Sequence, residues 1–200
     1  MTRYYVGDSP VQVTVLAPEM SWSFALFESA SARLVDPDGA QHEGLTASLE
    51  GLPEHIEVVW PKGSLLNKPG LWQVLVGLTA EDGKIEHFPP YGIPVEQHDG
   101  WHTIDSIRDV WREAPLDDAE LFTYLDAAKD LCIAKADPIT GPVPQRYRLA
   151  QAMQVRAMWN AGHVSSGGQY GSDDQAVYAY SMGYDIVKLL RPSGAIGGMF

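Results

Sequence analysis

Residues 70–88, GLWQVLVGLTAEDGKIEHF, decide the fold of the first half of this chain. Leu71 to Leu78 is the clearest strand of the sequence, because it follows a Pro-Gly turn and is rich in residues that favour strands. Residues 81–84 (EDGK) form a hairpin turn that leads into a second strand, Ile85 to Phe88. The stretch therefore predicts an antiparallel hairpin with Trp72 as a core aromatic.

Shorter strand candidates lie on both sides of this hairpin. Ile93 to Val95 is interpreted as a last edge strand, because Pro94 cannot donate to the interior of a ladder. The turn at residues 36–39 (DPDG) closes an earlier strand. The remaining candidates are residues 11–15, 32–34, 45–49 and 56–60. About seven short strands, with turns roughly every 8–12 residues, predict an antiparallel β-sandwich of immunoglobulin-like type over residues 1–98.

The second half, residues 99–200, changes to apolar spacings of three and four, which predicts helices. Thr103 is expected to cap a short first helix, and Asp117 with Glu120 forms a capping-box pattern before a second. This second helix should end at Asp137-Pro138, because a residue before proline avoids helical geometry. Its apolar face is expected to contain Leu121, Tyr124, Leu125, Ala128 and Leu131, with Cys132 beside them.

Two further helices are predicted after a proline-rich connector. Pro144 suits the first turn of the third helix, and Gly162 is expected to end it. Residues 163–175 have the composition of a loop, and a last helix is expected from about Ser181 to Leu190. The third helix carries Leu149, Ala152, Met153, Arg156, Ala157 and Trp159. Residues 99–200 are therefore predicted to form a small all-α bundle of three or four helices with a flexible C-terminal tail, in an α+β chain of two domains.

The charge of the chain restricts its partners. Twenty-six acidic and 14 basic side chains give a net charge of −12, divided into −8 for residues 1–98 and −4 for residues 99–200. This argues against binding nucleic acid through its phosphates, which needs basic surface. We find no apolar run near the roughly 20 residues of a membrane span and no signal-peptide pattern, so we expect the cytoplasm of the cell that makes the protein.

Candidate chemical groups are few and have simpler explanations. His98 and His102 have a spacing that would suit a metal on a helix, but they flank Asp99-Gly100 at the domain junction and are interpreted as linker residues. Cys132 is interpreted as a buried apolar residue, and its being the single cysteine excludes an internal disulfide. We therefore predict no catalytic residue, no cofactor and no metal, and a binding or structural protein rather than an enzyme.

The helical half resembles the head-to-tail adaptor, or connector, proteins of tailed bacteriophages, particularly those of actinobacterial siphophages. The resemblance covers residues 105–192. It rests on Leu125-Asp126-Ala127-Ala128 with Cys132, Pro144-Gln145-Arg146-Tyr147-Arg148-Leu149-Ala150, Arg156-Ala157-Met158-Trp159, Asp185, and Leu189-Leu190-Arg191-Pro192. The immunoglobulin-like domain in front of these segments departs from the bare family pattern.

This resemblance implies a structural protein of the virion neck. Such adaptors form rings, typically of twelve copies, that dock on the portal protein, extend the DNA channel and present a platform to the stopper or tail. Genomic DNA would pass through the ring without sequence-specific binding. The alternative is a tail or baseplate component, or a carbohydrate-binding module, that works through the β-sandwich.

The expected partner interface combines aromatic residues of the helical half with its C-terminal end. Aromatic residues are favoured in interface cores, and an apolar chain terminus can dock on a partner. The candidate interface residues are Trp111, Trp159, Tyr178, Tyr180, Arg191, Pro192 and Phe200.

Overall fold

The computed structural model describes residues 4–16, 26–49, 55–61, 63, 66–163 and 182–192. The chain divides into two compact units, residues 1–97 and 98–200. Described strands belong to the first unit, hereafter the β unit, and described helices belong to the second, the helical unit. The chain is thus an α+β protein.

Nine strands are described in the β unit. They are β1 (Tyr4–Tyr5), β2 (Gln12–Leu16), β3 (Phe27–Val35), β4 (Gln41–His42), β5 (Thr46–Ser48), β6 (His55–Val59), β7 (Gly70–Ala80), β8 (Ile85–His87) and β9 (Tyr91–Glu96). The larger sheet has the order β1-β9-β7-β3-β4, with β8 also paired to β7. The smaller sheet has the order β2-β6-β5.

The two sheets share one apolar core. Leu34, Trp72 and Val74 of the larger sheet and Ile56 and Val58 of the smaller sheet are all fully buried in it. Alternating inward positions along β7 produce this burial, as the sequence predicts. The hairpin of β7 and β8 is confirmed, and Trp72 lies in the core as expected.

Two strand predictions are wrong. The sheet is not purely antiparallel, because β1 pairs with β9 in parallel. The same pairing places β9 between β1 and β7, so the strand that contains Pro94 is not an edge strand. Pro94 is tolerated there because β1 is only two residues long and pairs with Val95 and Glu96, beyond the proline.

Four helices are described in the helical unit: α1 (Ile104–Val110), α2 (Asp118–Lys135), α3 (Gln145–His163) and α4 (Tyr184–Leu190). Thr103 caps α1, and its reciprocal bonds with Ser106 form a full capping box. At α2 the Asp117 carboxylate accepts the Glu120 N–H at 2.8 Å, which confirms the cap, while the full box belongs to α1. The expected stop of α2 before Pro138 is also confirmed.

The third helix differs from its prediction at its C-terminal end. It continues through Gly162 to residue 163, since Gly162 keeps a negative φ and gives no left-handed stop. Leu149 and Met153 of this helix are exposed, a distinction that the sequence did not make. The buried residues are Tyr147, Ala150, Gln151, Ala152, Gln154, Val155 and Met158.

The helical unit is held together around α3. Helix α3 packs against α2 and α4, and Cys132, Tyr147, Ala150 and Leu190 are buried between these elements. Helix α4 begins at Tyr184, later than expected, and most of the predicted loop 163–175 lies outside the described residues. No described helix combines the length and apolar character that crossing a membrane requires.

Candidate functional site

The predicted interface residues occupy different environments. Trp111 is 5% exposed and Trp159 is partly buried, whereas Arg191 and Pro192 are exposed directly after α4. The other three, Tyr178, Tyr180 and Phe200, lie outside the described residues. The structure thus brings together only the two tryptophans, and the interface role of all seven stays a prediction.

The two tryptophans belong to an aromatic cluster inside the helical unit. The rings of Trp111 and Trp159 meet edge to face with centroids 6.4 Å apart, and Tyr124 meets Trp159 in the same way at 5.6 Å. The Arg156 guanidinium lies over the Trp111 ring, 6.0 Å from its centroid. Such edge-to-face pairs stabilise packing by about 0.5–1.5 kcal/mol each. The cluster therefore joins α1, α2 and α3 within a single chain.

Helix α3 has charges that oppose its own dipole. Helices α1, α2 and α4 each have an acidic residue in the first turn and a basic residue in the last. Helix α3 contains Arg146, Arg148 and Arg156 and no acidic residue, and the first two arginines lie among its first four residues. A cation near a helix N-terminus is unfavourable by about 0.3–1 kcal/mol. Arg146 and Arg148 therefore do not stabilise the start of α3 through the helix dipole.

The outer face of α3 combines these arginines with apolar side chains. Leu149 is 52% exposed and Met153 is 37% exposed. Exposed Arg146 and Arg156 lie at the two ends of this apolar pair. Within the described part of the chain no carboxylate forms an ion pair with either arginine; the Arg146 guanidinium lies over Tyr147 at 5.0 Å. We call Arg146, Leu149, Met153 and Arg156 the α3 stripe.

The outer face of α2 has the opposite charge and smaller side chains. Glu120, Thr123 and Asp130 are exposed, and Ala127 between them is partly exposed. The Thr123 hydroxyl donates to the Ala119 carbonyl at 2.8 Å, so it needs no other partner. We call Glu120, Thr123, Ala127 and Asp130 the α2 stripe.

The neighbourhood of the α2 stripe is crowded with carboxylates. Partial burial and the nearby Asp130 raise the pKa of the Asp126 carboxyl. The Lys129 ammonium, one turn from Asp126, bonds the Asp99 carboxylate instead. The negative charge of this face is therefore left largely uncompensated in the single chain.

A clamped loop between α1 and α2 presents a second apolar feature. The Arg108 guanidinium donates to the carboxylate of buried Asp118 at 2.7 Å and to the Pro115 and Leu116 carbonyls at 2.7 and 3.0 Å. These bonds fix the loop, yet the Leu116 side chain is 93% exposed. Leu116 is thus held in place with its apolar surface in solvent.

His98 and His102, interpreted from the sequence as linker residues, occupy different environments. His102 precedes α1, where its N–H donates to the Gln151 side chain and its ring nitrogen Nδ1 lies 2.9 Å from the Ser106 hydroxyl, while His98 is exposed. Burial and the charge of Arg148 lower the pKa of His102 to about 4. His102 is therefore neutral at pH 7 and serves the packing of α1 on α3.

Cys132 is a packing residue, as predicted. It is fully buried, and burial raises the pKa of its thiol to about 12. Since the thiolate is the reactive form, this thiol is unreactive near neutral pH. Among the described residues no three His, Cys, Asp or Glu side chains are grouped to hold a metal ion.

Buried Asp36 of the β unit has its partners within the same unit. The carboxylate of buried Asp36 accepts the N–H groups of Asp38 and Ala40 at 3.0 and 2.9 Å, in the turn between β3 and β4. The Lys68 ammonium lies 2.7 Å from the same carboxylate, and His42 lies at 3.3 Å. The bond to Lys68 is the largest cause that lowers the pKa of Asp36. This cluster fixes a turn and has no free coordination position.

Sequence reasoning missed the two stripes. It placed Leu149 and Met153 along the third helix without separating outward positions from inward ones. The signal that identifies them is electrostatic: α3 is free of acidic residues in a chain of net charge −12. A helix whose charge is opposite in sign to the net charge of its chain is a candidate contact surface, because complementary charges guide association.

Comparisons with known proteins are sparse. No protein-family model matches the chain, and no curated protein matches it in sequence. Among solved structures the chain is similar to CopC from Methylosinus trichosporium OB3b, with 19% identity and a TM-score of 0.31 over 51% of this chain and 91% of that one. At that TM-score the likeness supports no argument about fold or activity.

Proposed function

We propose that this chain is a ring-forming head-to-tail adaptor in the neck of a tailed-phage virion, between the portal and the stopper or tail. The observation that carries the proposal is the α3 stripe. Leu149 and Met153 are exposed between Arg146 and Arg156. Methionine and arginine are enriched at protein–protein interfaces.

The resemblance to phage adaptors supports the same surface. Three of the segments that carry it, residues 125–128, 144–150 and 156–159, lie on α2 and α3 or directly before α3. The α3 stripe falls within two of these segments except for Met153, which lies between them. The resemblance and the exposed surface therefore point to the same pair of helices.

A ring fits the physical properties of the helical unit. A bundle of this size buries little apolar surface alone, and contacts between copies supply more. In a closed ring each copy uses two different surfaces, one for each neighbour. The net charge of −12 also suits a channel that DNA passes through, because an acidic lumen offers no phosphate-binding side chains.

The β unit would then be an immunoglobulin-like addition to the adaptor. Two sheets around one core, with Trp72 buried between them, support this assignment. A carbohydrate-binding role through the same unit has less support from the described residues, because Trp60 is 5% exposed and Trp72 fully buried. Neither ring is free to stack on a sugar. Trp22 lies outside the described residues.

Electron microscopy of the full-length chain mixed with the portal protein of the phage that encodes it tests the proposal. We expect rings stacked coaxially on the portal, with the copy number read from class averages. An absence of any complex with the portal, in microscopy and in size-exclusion chromatography, would overturn the adaptor function. Glycan-array binding by the full-length chain would instead favour the carbohydrate-binding alternative.

A further inference from the structure

The two stripes share one spacing along their helices. Arg146, Leu149, Met153 and Arg156 lie at relative positions 0, 3, 7 and 10 of α3. Along α2 the same relative spacing is found at Glu120, Thr123, Ala127 and Asp130. At a rise of 1.5 Å per residue, the two end charges of each stripe are separated by about 15 Å along the helix.

Charge and side-chain size are complementary at every one of these positions. Arginines stand at both ends of the α3 stripe, and carboxylates stand at both ends of the α2 stripe. Between the charges, α3 presents the large side chains of Leu149 and Met153, half-exposed in the single chain. The corresponding α2 positions have small side chains, Thr123 and Ala127. Large residues over small ones allow two helices to approach closely.

The stripes do not meet within one chain. Helices α2 and α3 pack together through their buried faces, where the Gln151 amide donates to the Leu125 carbonyl at 3.1 Å. Both stripes lie on exposed positions away from those faces. None of their four charged side chains forms an ion pair with another. Each stripe therefore remains available to a partner.

We propose that the α3 stripe of one copy binds the α2 stripe of a second copy, head to tail. The contact uses two different surfaces of the same chain, which is the interface type that generates closed rings. The partner is a second copy because one chain carries both complementary halves at equal spacing. The contact itself is inferred from the charges and side-chain sizes of the two stripes. That such contacts close into a ring rests on the proposed function.

Charge reversal in the full-length chain tests this contact. One variant carries Arg146→Glu and Arg156→Glu, and the other carries Glu120→Lys and Asp130→Lys. We expect each alone to weaken self-association by about tenfold or more, measured by sedimentation over a concentration series. An equimolar mixture of the two variants should recover self-association, because a ring in which the variants alternate pairs opposite charges at every contact. The chain with all four substitutions should also associate with itself but not join the wild type.

Matched controls carry the same charge changes at exposed positions outside the stripes. Arg112→Glu with Lys188→Glu matches the first variant, and Asp109→Lys with Glu113→Lys matches the second. Both controls should associate like the wild type. Circular dichroism of every variant checks that the helices are intact.

Several outcomes would overturn the contact. The wild-type chain could stay monomeric at every concentration and bind the portal only as single copies. The charge reversals could leave self-association unchanged, or the control variants could weaken it equally. The mixture of the two variants could fail to recover self-association. Portal-bound rings that survive each reversal would overturn this contact and leave the adaptor function standing. Recovery by the mixture without any portal binding would overturn the adaptor function and leave the contact standing.

Discussion

The β unit and the helical unit differ in the side chains that fill their interiors. In the β unit, Asp36 is buried with Lys68 as its partner, and the apolar core is filled from both sheets. In the helical unit, Gln151 and Gln154 are buried while Leu149 and Met153 of the same helix are exposed. Helix α3 thus buries amides while it exposes large apolar side chains, so its buried face does not follow from side-chain type. The comparison separates a unit whose interior is filled by apolar side chains of two sheets from a unit whose central helix buries amides.

The largest effect is expected in the centre of the β unit. Trp72→Ala removes a fully buried indole and should lower the free energy of unfolding of this unit by about 4 kcal/mol. Urea denaturation, monitored by hydrogen exchange of the β7 backbone amides, measures this loss of stability. The control Ile85→Ala, at a position 64% exposed, should change stability by less than about 0.5 kcal/mol. A loss below about 1 kcal/mol for Trp72→Ala would contradict a complete core.

Acid should affect the helical unit before the β unit. The pKa of His102 is about 4 in the folded chain and about 6.5 when unfolded, so the unfolded state binds more protons between these values. Stability of the helical unit should fall by about 2–3 kcal/mol as the pH drops from 6.5 to 4. The pKa of Asp36 is lowered, so its contribution is lost only below about pH 4.

Hydrogen exchange of each unit at pH 7 and pH 4.5 measures this order. His102→Asn removes the titrating group, can still bond the Ser106 hydroxyl, and should flatten the pH dependence of the helical unit. A variant as acid-sensitive as the wild type would show that other groups cause the loss. If acid destabilised both units equally, the predicted order of acid sensitivity would be wrong.

Two glutamines of α3 should respond oppositely to the same substitution. Gln151 accepts the His102 N–H and donates to the Leu125 carbonyl, so Gln151→Met should cost about 2 kcal/mol. The buried Oε1 of Gln154 has no hydrogen-bond partner, so Gln154→Met should be neutral or stabilise by about 1 kcal/mol. Thermal and urea unfolding measure both. Destabilisation of equal size would show that Gln154 makes a bond as important as those of Gln151.

The smallest effect on stability is expected at the start of α3. Arg146→Glu places an acid near the helix N-terminus, which is favourable, but removes the cation–π contact with Tyr147. These changes oppose each other, so the monomer should keep its stability within about 0.5 kcal/mol. Arg112→Glu, outside α3, provides the comparison. Strong destabilisation by Arg146→Glu alone would mean that the arginine supports the fold rather than an external contact.

The β unit could be predicted more fully than the helical unit, for a physical reason. The alternation along β7 reports burial directly, because successive side chains point to opposite faces. The parallel strand β1 is too short to leave a periodic signal, and without it Pro94 indicated an edge. In α3 the apolar residues did not identify the buried face, because Gln151 and Gln154 are held inside by the packing of other elements. Side-chain type predicts burial poorly where the packing of other elements decides which face is covered.

The buried thiol of Cys132 makes the intact chain suitable for site-specific labelling. With its single cysteine inaccessible, a cysteine introduced at a surface position becomes the one thiol that maleimide dyes and mild oxidants reach. Protein with Met153→Cys, mixed with protein with Ala127→Cys, could then be trapped as a mixed disulfide wherever two copies bring these positions together. Dyes at the same positions would report assembly by energy transfer, with the native cysteine left in place.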